Sequence, residues 1–444
     1  MDAVKSLWVT VLIAALVTSA CAPGAQRPPT TATPTLSPHA TPTVDPAQIV
    51  LRSTAAREPA DAEAAQRAAQ ALEAFAVDMY KQLADEPDNL VFSPYSITAA
   101  LAMTRAGASG VTADEMDRVL YADIAVDLDR GVNALDQALL AKPGKLPAYY
   151  GDPPPDLDIG TANQLWAQQG LPFEKPFLDR LAMHYGAGME VVDYVRAREE
   201  AREKINKWVA ERTGDRIPEI IPVGVLDEYS RFVLTNAVYL KATWLREFSR
   251  DETKPGPFRR LDGSTVQVPL MHIRETFGHT SGGGYQAVRL GYLGGLSMVV
   301  VVPDAGAFDQ FERTLDHGRL MTIASDMETT FVVLAMPRWE FRTEVGLNEE
   351  LSALGMPTAF EPEVADFSGI TKAEPLYLQA VLHEAFISVD ERGTEAAAAT
   401  AVIGGATGGP GRSAELTIDR PFIFFIQDDE TGAIIFLGRV IDPS

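Results

Sequence analysis

The sequence predicts a mixed α+β fold in a single large folded unit, and three observations carry that reading. Apolar residues recur at helical spacing in the first part of the folded chain. Long β-branched runs dominate the second part, and no Gly/Pro/Ser-rich linker interrupts residues 61–444. Helices first and large sheets afterwards is the pattern of α+β architecture. The chain has 444 residues, 46% hydrophobic and 22% charged, the balance of a soluble globular protein too long for one average domain.

Residues 1–20 have the layout of an export signal. Lys5 precedes an apolar stretch from Leu7 to Val17, and the small residues Thr18, Ser19 and Ala20 lead to Cys21. Cys21 is the one cysteine in the chain, so no intramolecular disulfide can form. Residues 21–60 are rich in Pro, Thr and Ala, lack aromatic side chains and predict an extended tether, with folding from Asp61 onward. Leu72, Phe75, Ala76, Met79, Tyr80 and Leu83 line one stripe of a helix ending near Asp85. Asn89 to Ile97 predicts a short strand running into a helix capped at Ser93 or Ser96, with Pro94 in its first turn. Glu199 to Arg212 predicts a further helix presenting Ile205, Trp208 and Val209 on one face. Phe232–Leu240, Ser297–Val302 and Thr330–Met336 are apolar without alternation, as in strands covered on both faces. Phe422–Gln427 and Ala433–Val440 flank Asp428-Asp429-Glu430-Thr431-Gly432, a hairpin.

The formal net charge is −23, from 61 acidic and 38 basic residues, which excludes a basic nucleic-acid footprint and argues against a polyanion such as heparin. None of the six histidines is paired at metal-ligand spacing, so no metal or cofactor is expected. His383-Glu384-Ala385-Phe386-Ile387 begins like a zinc-protease motif but has Ile where the second His belongs. Ser281-Gly282-Gly283-Gly284 follows His279 and lacks the Gly a nucleophile elbow needs two residues before Ser. An enzyme is not expected.

The least ordinary segment is Val389-Asp390-Glu391-Arg392-Gly393-Thr394-Glu395-Ala396-Ala397-Ala398-Ala399-Thr400-Ala401-Val402. Alanine buries little apolar area and specifies little by packing, so a globular core gains nothing from such a run. A strand that must slide into a sheet already formed requires this composition. Thr394, Ala396, Ala398, Thr400 and Val402 alternate onto one uncharged face, and Glu395 falls on the other. Gly393 supplies backbone freedom at the base.

This run resembles the hinge of the reactive-centre loop of serpins, which are protease inhibitors consumed in acting. Other stretches across the folded part resemble the same family in the same order. They are Asn89 to Met103 (NLVFSPYSITAALAM), Asn206 to Arg216 with Trp208, and Thr235 to Trp244 followed by Phe248. Ala365-Asp366-Phe367-Ser368-Gly369-Ile370 and Leu416 to Ile426, holding Asp419-Arg420-Pro421-Phe422, complete the set.

The resemblance implies a serpin fold of three β-sheets with eight or nine helices over residues 61–444, and an exposed reactive-centre loop at about 391–415. It implies a suicide substrate: a serine protease attacks the loop, and the cleaved loop inserts into the central sheet before the acyl-enzyme can hydrolyse. The hinge is then Glu391, Gly393, Thr394, Glu395, Ala396, Ala397, Ala398, Ala399 and Thr400. Ser93, Ser96, Asn236 and His383 match a polar cluster beneath the sheet, the shutter, and Trp244 matches the breach at its head. Family spacing from Glu391 places the scissile bond at Thr407-Gly408, whereas counting back from Pro421 reaches Pro410. Ala406 and Arg412 are the alternatives. Small residues before the bond suit an elastase- or subtilisin-like protease. Cys21 resembles the lipidated cysteine of bacterial lipoproteins, which implies a monomer exported and anchored to the outer face of the cell membrane, or secreted. The competing reading is a non-inhibitory serpin-fold binding or carrier protein at the cell surface, whose loop does not insert.

Overall fold

The computed structural model describes residues 50–142, 157–394 and 412–444. Among them the strands are β1 (Val50–Leu51), β2 (Leu90–Phe92), β3 (Leu157–Gln168), β4 (Met189–Val192), β5 (Phe232–Thr243), β6 (Lys254–Arg259), β7 (Thr265–Gly282) and β8 (Tyr285–Gly291). There follow β9 (Leu296–Pro303), β10 (Glu328–Pro337), β11 (Trp339–Gly346), β12 (Ala380–Asp390), β13 (Gly393–Thr394), β14 (Ser413–Thr417), β15 (Phe422–Asp428) and β16 (Ile434–Val440).

Seven strands form one sheet in the order β1-β4-β3-β5-β13-β12-β11, and nine form a second, β14-β10-β7-β8-β9-β15-β16-β2 with β6 on β7. The three sheets expected are met as two hydrogen-bonded networks because β7 is long enough to belong to two. Residues 265–279 of β7 pair with β6 and β10, and residues 278–282 pair with β8. Ten α-helical segments form among the described residues, against the eight or nine expected; one is the single turn Ala122–Ala125.

The first helix, Ala62–Leu83, carries the predicted stripe, and Asp61 caps it by accepting from the amides of Glu63 and Ala64. The choice between Ser93 and Ser96 as the next cap falls to Ser93, whose hydroxyl accepts from Ser96 N at 3.1 Å. Between the two sheets lie Phe75, Met79, Phe92, Leu101, Phe425 and Leu437, all buried. The outer face of the seven-stranded sheet is covered by the helix Arg198–Arg212, whose Ile205 and Val209 pack with Trp166, Val233 and Ala237. That double cover explains the unalternating apolar run of β5.

Residues 50–60, expected in the tether, are packed on the fold: β1 pairs antiparallel with β4 at the edge of the seven-stranded sheet, and residues 53–58 bond to the helices Leu128–Leu140 and Lys175–Tyr185. Arg57 Nε donates to Asn133 at 2.9 Å and pairs with Asp136. Ser53 Oγ donates to Asp179 at 2.5 Å, and the Glu58 carbonyl accepts from Asn133 and Gln137. Polar side chains and backbone hold this strap, so hydropathy carried no sign of it.

The hairpin β15–β16, which anchors the far end of the loop, holds a buried ion pair. Lys142 Nζ lies 2.6 Å from Asp428 Oδ1, with both side chains almost fully buried. Removing one partner leaves an unpaired buried charge, so Lys142→Met should cost about 3–5 kcal/mol. A lowered urea midpoint at unchanged slope checks this, and a shift below about 1 kcal/mol would place the pair in contact with water.

Candidate functional site

In the seven-stranded sheet β5 and β12 are paired directly over only part of their length. β5 and β12 pair in parallel from Ala380↔Val233 to Phe386↔Tyr239. Above that they part, and β13 lies between them. Thr394 pairs with Val389 of β12 and Ala242 of β5, while Gly393 pairs with Asp390 and Thr243. The first two residues of the plain segment are thus already seated as a strand in the sheet. Gly393 has φ +154, and a Cβ there would lie 2.0 Å from the carbonyl oxygen of Ala242, so only glycine fits.

The turn before β13 is held from every side. Trp244 N donates to the Arg392 carbonyl at 2.7 Å, Phe248 N to the Glu391 carbonyl at 2.8 Å, and Trp244 Nε1 to the Asp390 carbonyl at 3.0 Å. Asp390 Oδ1 accepts from Arg392 N at 2.8 Å. Glu391 is buried, accepts from Thr253 Oγ1 at 2.6 Å and faces Arg338 at 3.6 Å. Trp244 therefore stands where β5 and β12 part.

Beneath the β5–β12 junction the structure brings together Ser93, Ser96, Asn236 and His383, all buried. His383 Nε2 accepts from Ser93 N at 3.2 Å, so the ring proton sits on Nδ1, which donates to Asn236 Oδ1. Asn236 Nδ2 donates to Ser96 Oγ at 2.7 Å and to Asn163 Oδ1 at 2.5 Å, and Ser96 Oγ donates to Asn163 Oδ1 at 2.7 Å. Asn163 of β3 is a member that sequence reasoning missed, one polar residue in a strand without a strong pattern. Arg338, Thr253 and Tyr292 were missed as well, because nothing local marks their contact with the hinge.

Burial drives the imidazole of His383 down to about 3, with the Asn236 bond opposing. Its neighbour Glu384 points to the opposite face, beside Arg342 at 3.2 Å, and burial pushes its carboxyl up to about 7, helped by Glu344. Consecutive strand residues face apart, so His383 and Glu384 cannot meet at one metal. Ser281 and Gly282 end β7, and Gly283-Gly284 make the exposed turn to β8, with Gly282, Gly283 and Gly284 at positive φ.

Of the remaining expected site residues, Glu395 to Thr400, Ala406, Thr407, Gly408 and Cys21 lie outside the described residues. Arg412 is described: its carbonyl accepts from Phe331 N at 3.0 Å, extending the parallel β10–β14 pairing.

The fold and the half-seated hinge define a protein whose central sheet receives part of its own loop. The family model for Serpin (serine protease inhibitor) matches residues 70–443. An uncharacterized serpin-like protein of Thermococcus kodakarensis is 39% identical over 377 residues, which cover 84% of this chain and 85% of that protein. Leukocyte elastase inhibitor A of Rattus norvegicus is 34% identical over 381 residues, 83% of this chain and 97% of its own. The native structure of tengpin, a thermophilic serpin, superposes with TM-score 0.75 at 27% identity, covering 89% of this chain and 97% of tengpin. The chain belongs to the serpin family, most of whose members inhibit proteases and do not act as catalysts.

Two outcomes follow. Gly393→Ala should unseat β13, measured as faster hydrogen exchange at the amides of Trp244 and Phe248; unchanged exchange would mean that the clash is absorbed elsewhere. For His383, the unfolded chain binds a proton below the ordinary value of 6.5 and the folded chain does not until about 3. Its stabilisation is complete above pH 6.5 and lost as pH falls, by about 2 kcal/mol between 6.5 and 5. Glu384 acts oppositely, its contribution present below 4.5 and lost as pH rises through about 7. The difference between the parent and His383→Asn in urea midpoint against pH isolates the His383 limb, and parallel curves would refute it.

Proposed function

We propose that this serpin is a suicide-substrate inhibitor of serine proteases, elastase- or subtilisin-like enzymes foremost, trapping the acyl-enzyme by inserting its cleaved loop between β5 and β12. One observation carries the reading: β13 already pairs with both strands, and its register can be extended. Continuing from Thr394, the register sets Ala396 beside Ile387 and Leu240, Ala398 beside Ala385 and Val238, and Val402 beside Val381 and Leu234. Every one of those partners is buried. Thr400 arrives between His383 and Asn236, where its hydroxyl replaces the bond those residues lose as the strands separate. The shutter role of Ser93, Ser96, Asn236 and His383 is this exchange of partners.

The same register bears on the scissile bond. It sets Ile403 beside Ala380, where β12 begins, so the ladder ends near Gly404. Cleavage at Thr407-Gly408 leaves a short link between sheet and captured protease. Cleavage at Arg412 would lengthen it by five residues, roughly 17 Å of slack. The Arg412 carbonyl is also engaged by Phe331 N. Thr407 is therefore the residue presented to the protease, with Ala406 second. That leukocyte elastase inhibitor A is among the relatives agrees with a small side chain at this point. Lipid on Cys21 would hold the domain at the outer face of the cell membrane through the tether before residue 50. The carrier reading requires a loop that stays out of the sheet, which the seated hinge disfavours.

Incubation with elastase-, subtilisin- and trypsin-like proteases should give a denaturant-resistant complex with at least one of them. Loop cleavage by all three without any complex would overturn inhibition for these classes. The released C-terminal peptide should begin at Gly408; one beginning at Ser413 would reassign the bond. Ala398→Arg must carry a charge into the sheet interior. It should convert inhibitor to substrate, and a variant that still trapped protease would rule out insertion.

A further inference from the structure

Tyr292 lies outside the hinge, the shutter and the Trp244 contact with Arg392, yet it touches the loop. It sits in the turn between β8 and β9, on the other sheet, and its phenol lies 2.7 Å from Thr394 Oγ1 with both residues buried. Its mounting is rigid. The ring stacks on Trp244 at 4.2 Å with 11° between planes, and the backbones of Trp244 and Tyr292 form a β-bridge. Leu293 N donates to Thr243 O at 2.9 Å, Leu245 N to Gly291 O at 2.7 Å, and Tyr292 N to Leu296 O at 2.8 Å.

We infer that Tyr292 is a positioning residue for loop insertion, a latch whose hydroxyl holds Thr394 on the first rung and so keeps the hinge seated before any protease arrives. The inference rests on the insertion reading for its consequence, though not for its test. Among the described residues Thr394 is the one hydrogen-bond partner of the phenol. When the hinge leaves, the phenol loses that partner; when the phenol is missing, the seated Thr394 hydroxyl is buried without one. Each state with a single unpaired hydroxyl is disfavoured, whereas replacing both groups by apolar ones of similar shape is nearly neutral. In the inserted state Thr394 occupies the same rung, so the latch costs insertion nothing and removes its first step.

The test is a cycle of Tyr292→Phe, Thr394→Val and the double variant. Each single variant should shift the hinge toward the unseated state about fivefold, the factor of one net hydrogen bond. That is read as faster exchange at the Trp244 and Phe248 amides, which donate to Arg392 and Glu391. With a protease that forms the complex, each single variant should also raise the number of inhibitor molecules consumed per protease trapped, without lowering the association rate. The double variant should return both quantities toward the parent, and Thr394→Ser should match it. Thr394→Val guards against misfolding of Tyr292→Phe, since it is nearly isosteric and leaves the stacked Tyr292 and Trp244 rings unchanged. Parental exchange in both single variants, or a double variant as loose as the two combined, would overturn the latch. Absence of any protease complex would sink the inhibitory reading and leave the exchange cycle to judge Tyr292.

Discussion

The lateral pairing of β5 with β12 is the contact on which the rest of the structure depends. Below Phe386 and Tyr239 the two strands hydrogen-bond directly, and above them two residues of the loop stand between. The native chain therefore contains both arrangements of one junction, closed and filled, meeting partway along the strands. Under the insertion proposed above, filling the remainder would replace one row of ladder bonds by two. For a strand of about 10 residues, at roughly 1 kcal/mol for each net bond, the filled sheet lies well below the native one. On that reading the surrounding features either hold the difference in reserve or prepare its release.

His383 and its partners hold it. A neutral imidazole that accepts from a backbone amide on one nitrogen and donates to Asn236 on the other ties both sides of the junction to the helix beneath. Ser93, Ser96, Asn236 and His383 are buried and bonded to one another, so the proposed separation of the strands would have to supply a substitute at that depth. The plain segment carries a hydroxyl, Thr400, at the matching position and nothing larger than valine on the same face. Composition and geometry thus answer the same demand from opposite sides of the gap.

Much of the scaffold was legible in the chain because strong periodicity survives tertiary context. The first helix, β5, β9, β10 and the C-terminal hairpin fall where apolar spacing put them. The polar cluster of Ser93, Ser96, Asn236 and His383 was reached through family resemblance, since an isolated Asn or His in a strand has no local signature. Asn163 and Tyr292 escaped for that reason: each acts through a partner distant in sequence, Asn236 in one case and Thr394 in the other. The strap at residues 50–60 escaped for a different one. Ser53 and Arg57 are held by carboxylates and amides, so nothing apolar distinguished them from the Pro- and Thr-rich sequence before them.

The seated pair Gly393–Thr394 also fixes alignment. The offset it sets between β12 and β5, Val389 level with Ala242, is the offset the two strands already share lower down, where Ala385 meets Val238 and His383 meets Asn236. For the proposed insertion the strands would need only to move apart by one strand spacing, about 4.8 Å, without sliding. A slip of one residue would turn every side chain to the other face and bury Glu395 among the aliphatic residues of the core. Because the alignment is chosen in the resting molecule, the insertion proposed above would have no misaligned alternatives to sample, and its accuracy would be settled before its speed is tested.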